Sequence, residues 1–152
     1  MSFIDTFLGT PEQINGGQRC PTYLWRWTIA KWRGRGIYLH HFVADDWSLD
    51  LHDHPKRFVS VGLRGRYVEI TPDAKGGTKT QTYKAPWIRS FPAEHIHRIR
   101  MVRGWLGQVE DCWTLVIVLK PTRKWGFWHL GKFIPWREYV DSDTATTMKA
   151  CE

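Results

Sequence analysis

The sequence predicts an all-β barrel or sandwich, and three observations carry that prediction. Short β-prone segments recur about every ten residues, clusters of Gly, Pro and Asp separate them, and no long stretch keeps the 3.6-residue period of an amphipathic helix.

Residues 1–20 contain Gly9, Pro11, Gly16 and Gly17 and read as a loose leading segment with one short helical turn. Residues 23–32 and 37–43 flank the Gly34/Gly36 turn, which predicts a hairpin. Asp45 and Asp46 mark the next turn, and residues 49–54 form a short strand stopped by Pro55. Residues 58–63 make another strand that ends in a turn at Arg64-Gly65. Residues 67–70 lead through the Pro/Gly-rich loop 72–77 to a return strand at 78–83. Strands at 88–91, 96–101 and 113–119 complete the set, and the aromatic segment 125–139 is placed over one barrel end. The Thr/Asp/Ser-rich stretch 141–152 reads as a flexible tail. The expected organisation is a leading segment 1–20, one barrel domain over 21–140 and a tail over 141–152, with no internal repeat.

A chain of 152 residues suits a single domain. Ten Trp, seven Phe and five Tyr are too many for a disordered chain and suit a barrel core or an aromatic-walled pocket. The net charge of +7 points to anionic company. The cations are scattered in pairs such as Arg64/Arg66 and Arg98/Arg100, so folding must assemble any anion site, and nucleic-acid binding is the weakest of the readings. Cys20, Cys112 and Cys151 show no CxxC spacing and predict neither a disulfide framework nor a zinc knuckle. With no signal-peptide pattern and no run of eighteen apolar residues, the expectation is a cytoplasmic protein with no membrane partner.

The residues with the most chemistry are His52-Asp53-His54-Pro55 and, on a later segment, His95-Ile96-His97. Residues two apart on a strand face the same way, so His52 and His54 can present both imidazoles to one point. A third imidazole from a neighbouring strand would complete a facial set with open positions for water or substrate. Imidazole suits iron, zinc, manganese and nickel alike, so the ligands do not select the metal.

These residues resemble the two motifs of the cupin superfamily. The first pairs an HxH with a later Gly, matched by His52, His54 and Gly65; the second runs from a Pro to a His, matched by Pro92 and His97. The chain is also similar to small cupin-like proteins of bacteria and their phages. That likeness is carried by HDHP-x-x-F-V-S at 52–60, Leu63-Arg64-Gly65, His97-Arg98-Ile99, Trp113-Thr114-Leu115 and Trp125-Gly126-Phe127. The resemblance implies a double-stranded antiparallel β-helix, a jelly-roll barrel holding one divalent transition metal on His52, His54 and His97. It also implies homodimers. The Glu ligand of the first motif falls at Phe58 or Val59 and the Gly of the second at Glu94, which leaves a three-histidine site. Glu69 or Glu94 could add a carboxylate, though no spacing secures either, and His95 is expected to turn away from the ion.

Of His40 and His41, one must face inward; His40 is the candidate acid–base group. Arg89 is the candidate clamp for a carboxylate or phosphate, with Arg64, Arg66 and Arg98 also close to the motif strands. Cys112 reads as a buried, inert thiol, and His129 has no evident partner. No GxSxG elbow and no P-loop occurs. The first function expected is therefore a mononuclear metalloenzyme, dioxygenase-like if the ion is iron, acting on a small anionic substrate. The second is a non-catalytic module that captures a nucleotide or sugar phosphate, in a phage accessory role.

Overall fold

The computed structural model describes residues 3–16 and 20–140. Expectations for residues 141–152 lie outside the described residues. Eleven strands and two short helices follow in the order α1 (Phe3–Leu8), β1 (Glu12–Ile14), β2 (Leu24–Trp32), β3 (Arg35–Phe42), β4 (Leu51–His52), β5 (Lys56–Pro72), β6 (Thr78–Lys84), β7 (Trp87–Phe91), β8 (Arg98–Met101), β9 (Cys112–Pro121), β10 (Gly126–His129), β11 (Lys132–Pro135) and α2 (Trp136–Val140). Every strand pairing is antiparallel.

β5 is the spine of the molecule. Its first half pairs with β7 on one side and β9 on the other, and its second half pairs with β6 and β8. The expected turn at Arg64-Gly65 is instead a bulge inside one continuous strand. The register against β9 shifts between Gly62 and Arg64. Gly65 takes φ +80°, and a Cβ on it would lie 2.0 Å from the Asp111 carbonyl oxygen. Only glycine fits both constraints. The extra residue also swaps strand parity: Ser60 and Gly62 are buried before the bulge, Tyr67 and Glu69 after it. Both halves of β5 therefore line the same interior, which a strand of strict alternation could not do.

Around this spine the large sheet runs β1-β2-β3-β9-β5-β6, with β7 and β8 also on β5, and it curls so that its inner face is the core. Leu24, Phe42, Tyr67, Met101 and Cys112 form the main buried cluster. The leading segment is more ordered than its Gly/Pro content suggests, because β1 pairs with β2 through Glu12↔Arg26 and Ile14↔Leu24. Cys112 is a free, buried thiol that burial pushes up to about 12, as expected of an inert core cysteine. Cys20, by contrast, is disulfide-bonded, which the cysteine spacing did not predict. No helix among the described residues is long and apolar enough to cross a membrane.

A second sheet, β11-β10-β4, brings the aromatic C-terminal hairpin against the strand that carries His52. Phe127 stacks on the fully buried Tyr139 at 4.1 Å and Trp125 on Trp136 at 5.6 Å. The aromatic segment thus packs beside the strand that carries His52.

Candidate metal centre

β4 is only two residues long, yet it is held from both sides. His52 pairs with Phe127 of β10, and His52 and His97 exchange backbone hydrogen bonds of 2.8 and 2.9 Å. His54 is fixed in turn by its N–H, which donates to the Ala93 carbonyl at 3.0 Å. Between the two histidines Asp53 points the opposite way, as strand alternation requires. Its buried carboxylate accepts from Arg123 Nη1 at 2.6 Å and from the Gly126 N–H at 3.0 Å. The HDH triplet thus aims two imidazoles inward and uses the residue between them to anchor the aromatic hairpin.

His52, His54 and His97 each offer a ring nitrogen within 4.8 Å of the others. His54 Nε2 lies 2.8 Å from His97 Nε2. Two nitrogens bound to one ion at about 2.1 Å with bonds at right angles would lie about 3 Å apart, so this pair is spaced as neighbouring ligands. His97 Nδ1 donates to Glu69 Oε1 at 2.8 Å, which leaves its Nε2 as the atom turned towards His54. A carboxylate behind a ligating imidazole fixes its tautomer and raises its basicity. The donor set and its backing fit a divalent transition ion.

Glu69 is the residue that the sequence could not secure. It is 2% exposed and accepts from His97 Nδ1, from His95 Nε2 at 2.9 Å and from Arg89 Nη2 at 2.7 Å. Burial alone would raise its pKa, but those three donors hold it well below the usual carboxylate range. Burial, reinforced by the neighbouring imidazoles, pushes His52 and His54 far down and keeps both rings neutral. Burial also lowers His97, with Glu69 opposing it. Neutral imidazoles are the form that binds metal.

His95 faces the same interior rather than turning away. It lies two positions before His97, its ring centroid is 5.0 Å from that of His97, and with Glu69 and His97 it forms a second cluster able to hold an ion. The spacing of two was itself the signal for a shared face. Glu94 is exposed. Arg89 lies inside, but its guanidinium is already engaged: beyond Glu69 it donates to Tyr67 Oη at 3.4 Å and sits 3.6 Å over the Tyr83 ring. Arg66 forms two 2.7 Å hydrogen bonds to Glu110 and, with Arg64 and Lys84, lines an outer cleft of about 480 Å³. Arg98 is half-buried on β8, and Asp46, behind His52, is raised to about 7 by burial. His40 faces inward between Tyr38 and Phe42, while His41 faces out, stacked on Trp113 and bonded to Asp111. His129 has Asp50 as its partner at 2.9 Å.

The sequence matches no protein-family model and none of the curated proteins. Solved structures do match the fold. The polyketide cyclase RemF from Streptomyces resistomycificus superposes with a TM-score of 0.61 at 13% identity, over 95% of this chain and 94% of that one. A Klebsiella pneumoniae protein with a double-stranded β-helix domain gives 0.50 at 11% identity, over 84% of this chain and 95% of that one. The chain has the double-stranded β-helix fold. A third neighbour is hydroxypropylphosphonic acid epoxidase from S. wedmorenis, with a TM-score of 0.54 at 8% identity over 74% of this chain and 57% of that one. At such identities the likeness concerns the fold, and the chemistry has to be argued from this chain's own residues.

Proposed function

We propose that this cupin is a metal-dependent enzyme, with one divalent transition ion held by His52, His54 and His97, acting on a small oxygen-bearing molecule inside the barrel. The observation that carries the reading is the buried chain Arg89–Glu69–His97, in which a carboxylate orients one ring nitrogen while the other points at His54. A carboxylate held ionised behind a ring by two further donors, Arg89 and His95, is the arrangement that backs a ligating imidazole. The ion would supply Lewis acidity, or oxygen activation if it is iron. The chain's own groups do the rest. Glu69 holds the proton on His97 Nδ1, Arg89 keeps Glu69 ionised, and the ring contacts of Phe127 and Trp125 with His52 shield the site from water. Arg89 thus acts as a positioning residue in this reading, and the anion-clamp role is not needed.

Elemental analysis of protein purified without an affinity tag, followed by oxygen uptake with candidate substrates, tests this reading. About one equivalent of iron, zinc, manganese or nickel is expected, lost in His54→Ala and His97→Ala. Stoichiometry that those substitutions leave unchanged would remove the proposed site.

One observation favours a second reading, capture of a phosphate-bearing small molecule without chemistry. Two outer clefts, of about 480 and 440 Å³, share Arg66 and are lined by Arg64 and Lys84 in one and by Arg100 and Arg103 in the other. Thermal-shift measurements with nucleotides and sugar phosphates discriminate, since this reading predicts a stabilisation that Arg66→Ala abolishes and His97→Ala does not.

A further inference from the structure

Four buried side-chain polar atoms among the described residues have no hydrogen-bond partner: His40 Nε2, Trp87 Nε1, Thr114 Oγ1 and Trp128 Nε1. The first three fall on one row of the barrel wall. His40 on β3 is the cross-strand partner of Thr114 on β9, Thr114 is the partner of Gly62 on β5, and Gly62 is the partner of Trp87 on β7. The row faces inward. Thr114 is 1% exposed, and its neighbours on alternate positions, Cys112 and Val116, are buried too. Gly62 supplies no side chain, and the Trp87 ring lies across it, at 2.3 Å from where a Cβ would be. A side chain at position 62 would lift the indole, so the glycine lays Trp87 along the row towards Thr114.

Buried polar atoms in native proteins nearly always find a partner. Three exceptions in register, with a fourth elsewhere, mark a place where the partner comes from outside the chain. We propose that this row is a ligand subsite for an uncharged oxygen, a hydroxyl or carbonyl, at the far end of the molecule bound inside the barrel. The proposal rests on the interior being the substrate side of the metal centre.

The donor inventory sets the class. Trp87 Nε1 can only donate, Thr114 Oγ1 can donate or accept, and a neutral imidazole offers one of each across its two nitrogens. A hydroxyl can accept from Trp87 or Thr114 and donate to Thr114 or His40, so uncharged oxygens can meet every atom of the row. An ammonium group finds no carboxylate on the row. A carboxylate or phosphate finds no free cation there. Arg26, opposite His40, is bonded to Glu12 at 2.8 Å, and Arg89, opposite Ser60 on the next row, is held by Glu69. The aromatic rings around the row, Tyr38, Phe42 and Tyr67, favour a flat apolar body behind that oxygen. The row also lies on the inner face that reaches the metal histidines. Phe58, two rows away on β5, packs against His54 at 4.8 Å. Four residues of strand separate the two rows, about 13 Å.

Matched probes test the subsite: phenol, toluene and benzoate, titrated by NMR on the indole N–H of Trp87 and the imidazole of His40, in wild type and in the near-isosteric Thr114→Val. Phenol is expected to shift both signals and to bind more tightly than toluene or benzoate. Thr114→Val should weaken phenol roughly five- to tenfold, leave toluene unchanged and leave metal content unchanged. Phenol binding no tighter than toluene, or indifferent to Thr114→Val, overturns the proposal. So does a high-resolution structure in which a water completes the row and phenol does not displace it. Discrimination of phenol in a protein that takes up no metal supports the row and fails only the metal reading.

Discussion

His52 and His97 exchange two backbone hydrogen bonds, so the two histidine motifs are stitched together before any side chain is considered. The relationship makes the centre rigid and places the carboxylate behind His97 under a clear test. Glu69→Gln keeps the size of the side chain but removes the charge that accepts from His97, His95 and Arg89. Metal affinity should fall roughly 10- to 100-fold, the usual cost of losing such a backing partner. Competition with a chelator, read by metal content, checks it.

Arg123 and Asp53 form a similar buried anchor for the aromatic hairpin. Asp53 is fully buried, and Arg123 is the one cationic side chain bonded to its carboxylate among the described residues. Arg123→Ala leaves an uncompensated buried charge and should cost about 3–5 kcal/mol. Urea unfolding with an unchanged slope would measure that loss directly. A cost below about 1 kcal/mol would show that the hairpin does not depend on the pair.

The barrel, its hairpins and the convergence of His52, His54 and His97 were legible in the sequence because each depends on short-range pattern. Alternation and turn residues mark strands, and the HxH spacing fixes a shared face. Two features were not legible in the same way. Glu69 reaches His97 only because the bulge at Gly65 reverses the parity of β5, and a bulge inside a strand looks, in sequence, like the Arg-Gly turn between two strands. Arg89 stood out only as a candidate anion clamp, because its engagement by Glu69 depends on a partner outside its own strand pairings. β1 was missed because its strand character comes from pairing with β2 rather than from its own residues.

Gly65 offers the sharpest check of that account. Gly65→Ala must adopt a left-handed φ and push against the Asp111 carbonyl, so destabilisation of roughly 3 kcal/mol or more is expected. Thermal denaturation reports it. Gly76, also at positive φ but with nothing within 4 Å, is the matched control and should lose less.

His40 predicts an acid-side loss of stability. Burial, with a smaller contribution from Arg26, lowers its pKa from 6.5 to about 3. Between those values the unfolded chain carries a proton there that the folded chain does not, so stability rises with pH and is lost as pH falls below about 6.5. His40→Gln has no such proton to take up. Its stability should vary less between pH 4 and 6.5 than that of the wild type, read as the difference in urea midpoints. Parallel curves would show that other groups carry the dependence.

The outer face of the same sheet leads to the last expectation. Ile88, Val61, Leu115 and Leu39 form one cross-strand row and Ser90, Val59, Ile117 and Ile37 the next, with no charged side chain in either. Ile88 is 76% exposed and Leu63, beside it, 52%. Sheet faces open to water normally carry polar side chains, whereas the outward positions of these two rows are apolar except for Ser90. Two copies with a net charge of +7 each repel one another, so they can approach closely only where no cation intervenes. The two rows measure about 19 by 14 Å in projection, so they would form the centre of an interface of roughly 800 Å² accessible area per partner. Its identity on both copies suits a two-fold pairing. Light scattering at micromolar concentration is therefore expected to give a dimer. Ile88→Asp, which costs a monomer little because the side chain already lies in solvent, should give a monomer with unchanged circular dichroism and metal content. A wild-type monomer would mean that this face serves some other contact.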